Sequence, residues 1–427
     1  MVIPPKDELA READALISFV ETCTRPDGLL AEWVDPKTRR VSPAHLLGDF
    51  GDWAPFFLAR NHPALVEQHL RALPHYLDKN GILLANKSRF GIPWVTAFEH
   101  TDLLLGLLDC SERFPEAKVL AQKMLAACKH TFGLSAGKVH SYYLHWLGTT
   151  LPVASSVDAT FIELFVQASA TLGDPSLLDD ATALAHYFAD LPFRTKHHLF
   201  PELSGAWWSK RSRQAQTMKH NTNAVYGFLE LYRVTKEPWL LQVIEEWIAA
   251  VPHLQNSEGY VYFTAWPTRS GWQGDRVELV PNVGVLDLLC DLAWYLKSEQ
   301  ALSSARALGR KLLELQDRQT GLVRRSPTKE KTHLDAQTDL IIAWEKLCEL
   351  TQESMYGDAA KKLFQAVRTY HRYGEGYAAS CNAQTGEVID YLYFTRYNSL
   401  FLKPYLRYLA PGPLYANEPL LQLLKDR

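Results

Sequence analysis

What most constrains this chain is an alternation. Stretches of helical period that are apolar on one side take turns with stretches that are apolar nearly all round. The one-sided stretches are residues 7–24, 62–78, 115–130, 176–191, 238–251, 303–315 and 359–373. The others are 45–60, 94–108, 155–173, 219–235, 278–296, 332–350 and 394–409, and each of these opens on a polar head. Residues 155–173, SSVDATFIELFVQASATLG, show the pattern: two serines and Asp158 lead into a run broken by only two large polar side chains, Glu163 and Gln167. A helix apolar on most faces is buried on most faces, whereas an amphipathic one keeps a wet side. A short glycine–apolar signal recurs between the two kinds, at Gly28, Gly81, Gly133, near His198, and at Gly259, Gly321 and Gly386. The steps are about 50–65 residues, longer than the common solenoid repeats and long enough for two helices and a loop of strand-like residues.

Such an alternation packs naturally as an inner ring of apolar helices inside an outer ring of amphipathic ones. The expected fold is all-α, an α/α toroid of six to seven helical hairpins with short β-hairpin-like rim loops, in one domain spanning residues 1–427. An open α-solenoid is the structural alternative, but it would leave strongly apolar inner faces uncovered. In the ring all inner helices point the same way, so their polar heads converge at one mouth.

Composition narrows the partners. A net charge of −3 gives no reason to expect nucleic acid. No run of about 18 uncharged apolar residues suggests a membrane span. The N-terminus shows no basic region followed by an apolar run, so the location expected is cytoplasmic. The six cysteines form no CxxC pair, and four lie in apolar helical runs, which suits buried thiols better than disulfides or zinc ligands. No metal and no cofactor are expected. Phosphate-binding glycine loops and HExxH are absent from the sequence.

The heads carry Asp49 and Asp52; Glu99, His100 and Asp102; Asp158; His220, Asn221 and Asn223; Asn282; Asp335 and Asp339; and Arg396, Tyr397 and Asn398. Loops nearby supply aromatics, among them Trp207, Trp208, Trp266 and Tyr393. Carboxylates, imidazoles and amides beside flat rings suit a hydroxyl-rich ligand, which needs many polar partners and stacks its C–H faces on aromatics. The expected partner is a small saccharide.

Three segments carry a family resemblance: Gly51-Asp52-Trp53; Val157-Asp158-Ala159-Thr160-Phe161 followed by Leu172-Gly173-Asp174-Pro175; and residues 223–232, NAVYGFLELY. In these the chain resembles the α/α-toroid carbohydrate enzymes, which include the unsaturated glucuronyl hydrolases and the N-acylglucosamine 2-epimerase group. Lys219-His220-Asn221 stands where the hydrolases often carry an arginine-glycine stretch, and the full histidine pattern of the epimerases is missing.

Hydrolysis of a glycosidic bond needs two carboxyl groups, one of them a proton donor with a raised pKa. Asp158 is the first candidate, because it stands alone at the head of a very apolar helix. Asp52 and Asp102 are its candidate partners. Binding roles are expected for Glu99, His100, Trp207, Trp208, His220, Asn221, Trp266, Asp335, Tyr393, Arg396 and Tyr397. The expected function is therefore glycoside hydrolysis, on a saccharide whose uronate, where present, an arginine would hold. One alternative is a sugar epimerase or isomerase using His100 or His220 as acid and base. Another is a non-enzymatic scaffold that binds a glycan or peptide. The basic cluster Lys210, Arg211 and Arg213 reads as solvated rim charge.

Overall fold

A computed structural model describes residues 3–84, 94–134, 137–144, 147–206 and 208–410. The chain divides into two compact units, one of Met1–Arg71 with Val277–Arg427 and one of Ala72–Arg276.

In the unit Ala72–Arg276, three apolar helices lie side by side: Thr101–Cys110, Thr160–Leu172 and Asn223–Thr235. Each reverses into an amphipathic helix, Pro115–Phe132, Ser176–Ala189 or Pro238–Ala250. The reversals are tight for a local reason. Gly173 and Lys236 end their helices in the left-handed conformation, and proline opens the helices at Pro115 and Pro238, where a missing N–H does no harm. Phe161, Ile162, Leu164 and Phe165 have no exposed surface. Burial of each such side chain contributes roughly 1.5–3 kcal/mol. The middle and third apolar helices meet at Gly227, where a Cβ would sit 2.7 Å from the carbonyl oxygen of Ala159. Two three-stranded antiparallel sheets lie in the loops before the helix heads. One joins Trp94–Thr96, Tyr142–Leu144 and Thr149–Leu151, and the other joins Ala215–Gln216, Thr264–Thr268 and Gly271–Gly274.

The second unit is built the same way. Leu279–Leu296 reverses into Glu299–Leu313, and Leu334–Thr351 into Ser354–Ala366, each through two residues led by a left-handed one, Lys297 or Gln352. The last apolar stretch, Thr395–Leu400 and Leu402–Leu409, packs against Lys6–Thr22, so the two ends of the chain complete a hairpin. Tyr405 seals it by donating to Glu12 Oε2 at 2.8 Å, and Arg368 reaches both Glu8 and Glu12. Counted along the described residues, seven apolar stretches alternate with seven amphipathic helices. The tight hairpin runs from apolar to amphipathic helix, with the long rim loops between hairpins.

Some boundaries differ from those the periodicity suggests. Residues 45–60 form a 3-10 turn, Phe50–Asp52, and a short helix, Ala54–Ala59, because Pro55 favours a new first turn over a continued helix. Residues 94–96 are strand, and Thr217–Thr222 form a π-helical turn. By length and composition Leu279–Leu296 could cross a membrane, yet 67% of it is buried within the protein, and its Asp291, fully buried, pairs with Lys346 at 3.0 Å.

The recurring glycine signals have one structural meaning. All six glycines and His198 take positive φ, between 57° and 99°. The turns at Gly81, Gly259 and Gly321 are built alike: Asp78, Asn256 and Asp317 each accept two backbone N–H groups through Oδ1. At Gly386 (φ 74°) a side chain would be excluded twice over, since a Cβ would lie 2.1 Å from the ring of Tyr370.

Candidate functional site

Several heads that looked available for chemistry hold backbone in place. His100 is fully buried; its Nε2 accepts the N–H of Leu83 at 3.0 Å, while Nδ1 lies 3.1 Å from the Thr96 carbonyl. Asn221 accepts the N–H of Phe200 at 2.9 Å and donates to the carbonyls of Phe200 and Gln216. Gln337 does the same for Val323, and Asn398 for Tyr377. In each case the amide or ring satisfies a short extended segment that has too few ladder partners of its own. Both nitrogens of His100 and both ends of the Asn221 amide are thereby taken by backbone. Glu99 accepts the N–H of Thr96 through Oε2 at 3.2 Å. Tyr393 is 5% exposed, donates to the Tyr373 carbonyl, and sets its ring edge-on to Phe19. Trp266 is half-buried in its strand, opposite Gln273, and Trp208 is 65% exposed. Trp207 lies outside the described residues. Asp102 is half-buried in the first turn of Thr101–Cys110.

Two groups of heads remain, one in each unit. In Ala72–Arg276 the group centres on Asp158, which has no exposed surface. Burial raises its pKa from 3.8 to about 7, against the opposing pull of the Ser141 hydroxyl and the backbone N–H groups of Ser155 and Phe98. Ser141 donates to Asp158 Oδ2 and accepts the N–H of Ser155 at 2.5 Å. Ser155 Oγ lies 3.0 Å from Nε2 of His220. Burial, then the charges of Arg211 and Lys219, depress the His220 pKa to about 3, so its ring is neutral. Beside this group Glu202 is buried and holds Arg211 and Gln214, so one member of the expected solvated basic cluster is tied to the wall.

The group in the other unit is more open. Arg396 donates through Nε to Asp52 at 2.5 Å and lies 3.6 Å from Asp49. His333, just before the helix Leu334–Thr351, is joined through Nδ1 to Asp335. The ring of Tyr397 meets that of His333 edge-on at 5.2 Å. Burial pushes the Asp335 carboxyl up, but the hydrogen bond and charge of His333 with the charge of Arg396 leave it below the usual value. Asp339, one turn further along, is raised chiefly by burial, with Lys403 at 3.4 Å opposing. Burial leads for both carboxyls although 16% and 36% of their side-chain surfaces stay open to solvent. That combination belongs to groups lining a recess. Burial also raises the Tyr397 phenol to about 12, so it stays a donor.

The sequence reading placed Asp52, Asp335, Arg396 and Tyr397 among the site residues but missed His333. The signal was the histidine two positions before Asp335, at the start of an apolar helix. Such a pair can lock an imidazole through one nitrogen and leave the other for a ligand.

No family model matches the chain, and no curated protein matches it. Solved structures do. A D-mannose isomerase aligns over 100% of both chains with a TM-score of 0.62 at 13% identity. An alpha-1,2-mannosidase from Trichoderma reesei aligns over 94% of this chain and 92% of its own, with a TM-score of 0.66 at 10% identity. The unsaturated glucuronyl hydrolase from Bacillus sp. GL1 aligns over 87% of this chain and 100% of its own, with a TM-score of 0.55 at 14% identity. At such identities the likeness is one of architecture, and the architecture these proteins share is the one the helix alternation calls for: the chain has the α/α-toroid fold.

Proposed function

We propose that the chain is a carbohydrate-active enzyme that moves a proton at the carbon beside a sugar carbonyl, giving isomerisation or epimerisation. The observation that carries this reading is the His333–Asp335 pair in a solvent-open recess beside Tyr397 and Arg396. With Nδ1 held by the Asp335 carboxylate, His333 presents Nε2 as the base. It takes the proton from the carbon next to the carbonyl of an open-chain sugar, and the imidazolium that forms is stabilised by Asp335. The electron pair left behind moves onto the carbonyl oxygen as an enediolate. A protonated Tyr397 and the Arg396 cation are the available donors for that oxygen. Return of the proton to the neighbouring carbon gives the isomer, and its return to the opposite face gives the epimer. Fold likeness to a D-mannose isomerase and to cellobiose 2-epimerases supports a saccharide as substrate.

A second reading, glycoside hydrolysis, is favoured by Asp158, whose pKa of about 7 suits a proton donor at neutral pH. Asp102 in the same unit is the second carboxyl this reading would use. One experiment separates the two. The protein is incubated with free aldoses and ketoses in D2O, and in parallel with neutral aryl glycosides and disaccharides. Deuterium entering beside the carbonyl, lost in His333→Asn, supports proton transfer. Glycoside cleavage without deuterium uptake, lost in Asp158→Asn, replaces it with hydrolysis. Neither activity on any of these sugars would count against both.

A further inference from the structure

The rim hairpin of Thr264–Thr268 and Gly271–Gly274 is held differently at its two ends. Backbone fixes the foot. Ala215 and Gln216 pair with Ala265 and Thr264, the N–H of Thr217 donates to the Phe263 carbonyl at 3.0 Å, and Asp275 Oδ1 accepts the N–H of Thr264 at 2.8 Å. Arg276 lies 3.8 Å from the centre of the Phe263 ring. From Trp266 outward, among the described residues, each strand pairs only with the other. Side chains hold that outer end. Alternation along the strands puts Pro267 and Trp272, which stand opposite each other, on one face, and Trp266 and Gln273 on the other.

Trp272 is the contact. Its indole stacks on His253 of the turn Val251–Leu254 at 5.2 Å, with 12° between the planes. It meets His197 edge-on at 5.4 Å and Phe193 edge-on at 6.4 Å. Phe193 and His197 lie one turn apart on the short helix Pro192–His197, with their rings 4.8 Å apart. Two imidazoles thus press on one indole. The charges around them are mostly of one sign. Lys196 and His198 flank His197 on its own segment, His253 faces it from the neighbouring turn, and the tip of the hairpin carries Arg269. The carboxylate that reaches this segment, Glu246 of Pro238–Ala250, is taken by Arg194 at 2.6 Å and His198 at 3.2 Å. Burial, then the charges of Lys196, His253 and His198, hold the His197 pKa below its ordinary value. One imidazolium on an indole is attracted by the ring. Two against the same indole, beside Lys196, repel each other. A proton that binds the pinned state less well than the free one shifts the balance toward the free one as pH falls.

We propose that this hairpin is an acid-released strap: at neutral pH His197 and His253 pin its outer end through Trp272, and on acidification they let it go while the foot holds. The foot runs through Ala215–Gln216 into the turn Thr217–Thr222 that carries His220, so the strap is anchored beside the Asp158 group. The part that swings is the outer arm, with Trp266 on its far face. The inference stands apart from the proposed function, since it requires neither a sugar nor turnover.

Hydrogen exchange of the full-length protein, followed by mass spectrometry and corrected for the intrinsic effect of pH, reads the strap directly. Between about pH 7.5 and pH 5 the amides of residues 266–274 should lose about tenfold in protection. Those of residues 215–217 at the foot and 160–172 in the core should keep theirs. In parallel, 19F NMR of protein carrying 5-fluorotryptophan should show the Trp272 line, assigned by its loss in Trp272→Phe, moving toward the solvent-exposed position over the same interval. The double variant His197→Phe with His253→Phe keeps both rings and removes both titrations, so its hairpin should stay protected at both pH values. Trp272→Ala should leave the hairpin unprotected at both. The proposal is overturned by equal protection of the wild-type hairpin at the two pH values, by acid release that persists in the double variant, or by a loss that spreads to residues 215–217 or 160–172. A double variant already open at neutral pH, or a Trp272→Ala hairpin as protected as the wild type, would overturn it too.

Discussion

Substituting Asp158 by Asn should make the protein more stable, and increasingly so as the pH rises. The carboxyl is fully buried, and burial lifts its pKa from 3.8 to about 7. An acid held above its ordinary value costs the folded state stability wherever the unfolded chain can ionise. Below pH 3.8 both folded and unfolded chains carry the proton, and the group is neutral to stability. Between 3.8 and 7 the unfolded chain ionises while the folded one does not, so stability falls with pH. Above 7 the loss levels off near 4 kcal/mol, taking about 1.36 kcal/mol per unit. At pH 5 the loss is about 1.5 kcal/mol and at pH 8.5 about 4 kcal/mol. Asparagine has the same shape and can still accept the Ser141 hydroxyl, but it has no charge to bury. Urea unfolding of the two proteins at pH 5 and pH 8.5 should therefore show the stability difference moving by about 3 kcal/mol in favour of Asp158→Asn. A difference that does not change with pH would refute the reasoning, because it would mean that Asp158 ionises alike in folded and unfolded chains.

Other perturbations test the remaining parts. His333→Asn or Asp335→Asn should lower deuterium exchange beside a sugar carbonyl by about 10²–10⁴-fold, with melting temperature little changed because both side chains reach solvent. Lys346→Met leaves the buried Asp291 and the half-buried Asp287 without their cation and should cost about 3–5 kcal/mol in urea unfolding; adding Asp287→Asn and Asp291→Asn should recover most of it. Gly386→Ala should lower stability by about 1–3 kcal/mol, read as a drop in melting temperature, since positive φ and the Tyr370 ring both oppose a side chain there.

The architecture was legible because it is written locally. A helix apolar all round, such as Thr160–Leu172, announces its burial through its own side chains, and its end through Gly173. At six of the seven recurring signals the positive-φ residue is glycine, with His198 in its place at the other, and an Asp or Asn stands within four residues before Gly28, Gly81, Gly259, Gly321 and Gly386. The position of polar heads at the starts of the apolar helices was legible for the same reason, since cap and head follow directly from the 3.6-residue period.

What each head does was not legible, because it depends on partners far away in the chain. Asn221, His100 and Asp335 are equally polar residues in equivalent places. Yet Asn221 is consumed by Phe200, 21 positions away, and His100 by Leu83, 17 positions away. Arg396 is aimed by Asp52 across 344 positions, and no local pattern can report that pairing. Sequence by itself determined the rhythm of helices, because burial and capping act on neighbours within a turn or two. Tertiary structure alone decided which heads are spent on backbone and which line a recess, because a hydrogen bond or a pKa is set by whatever atoms the fold brings within a few ångströms.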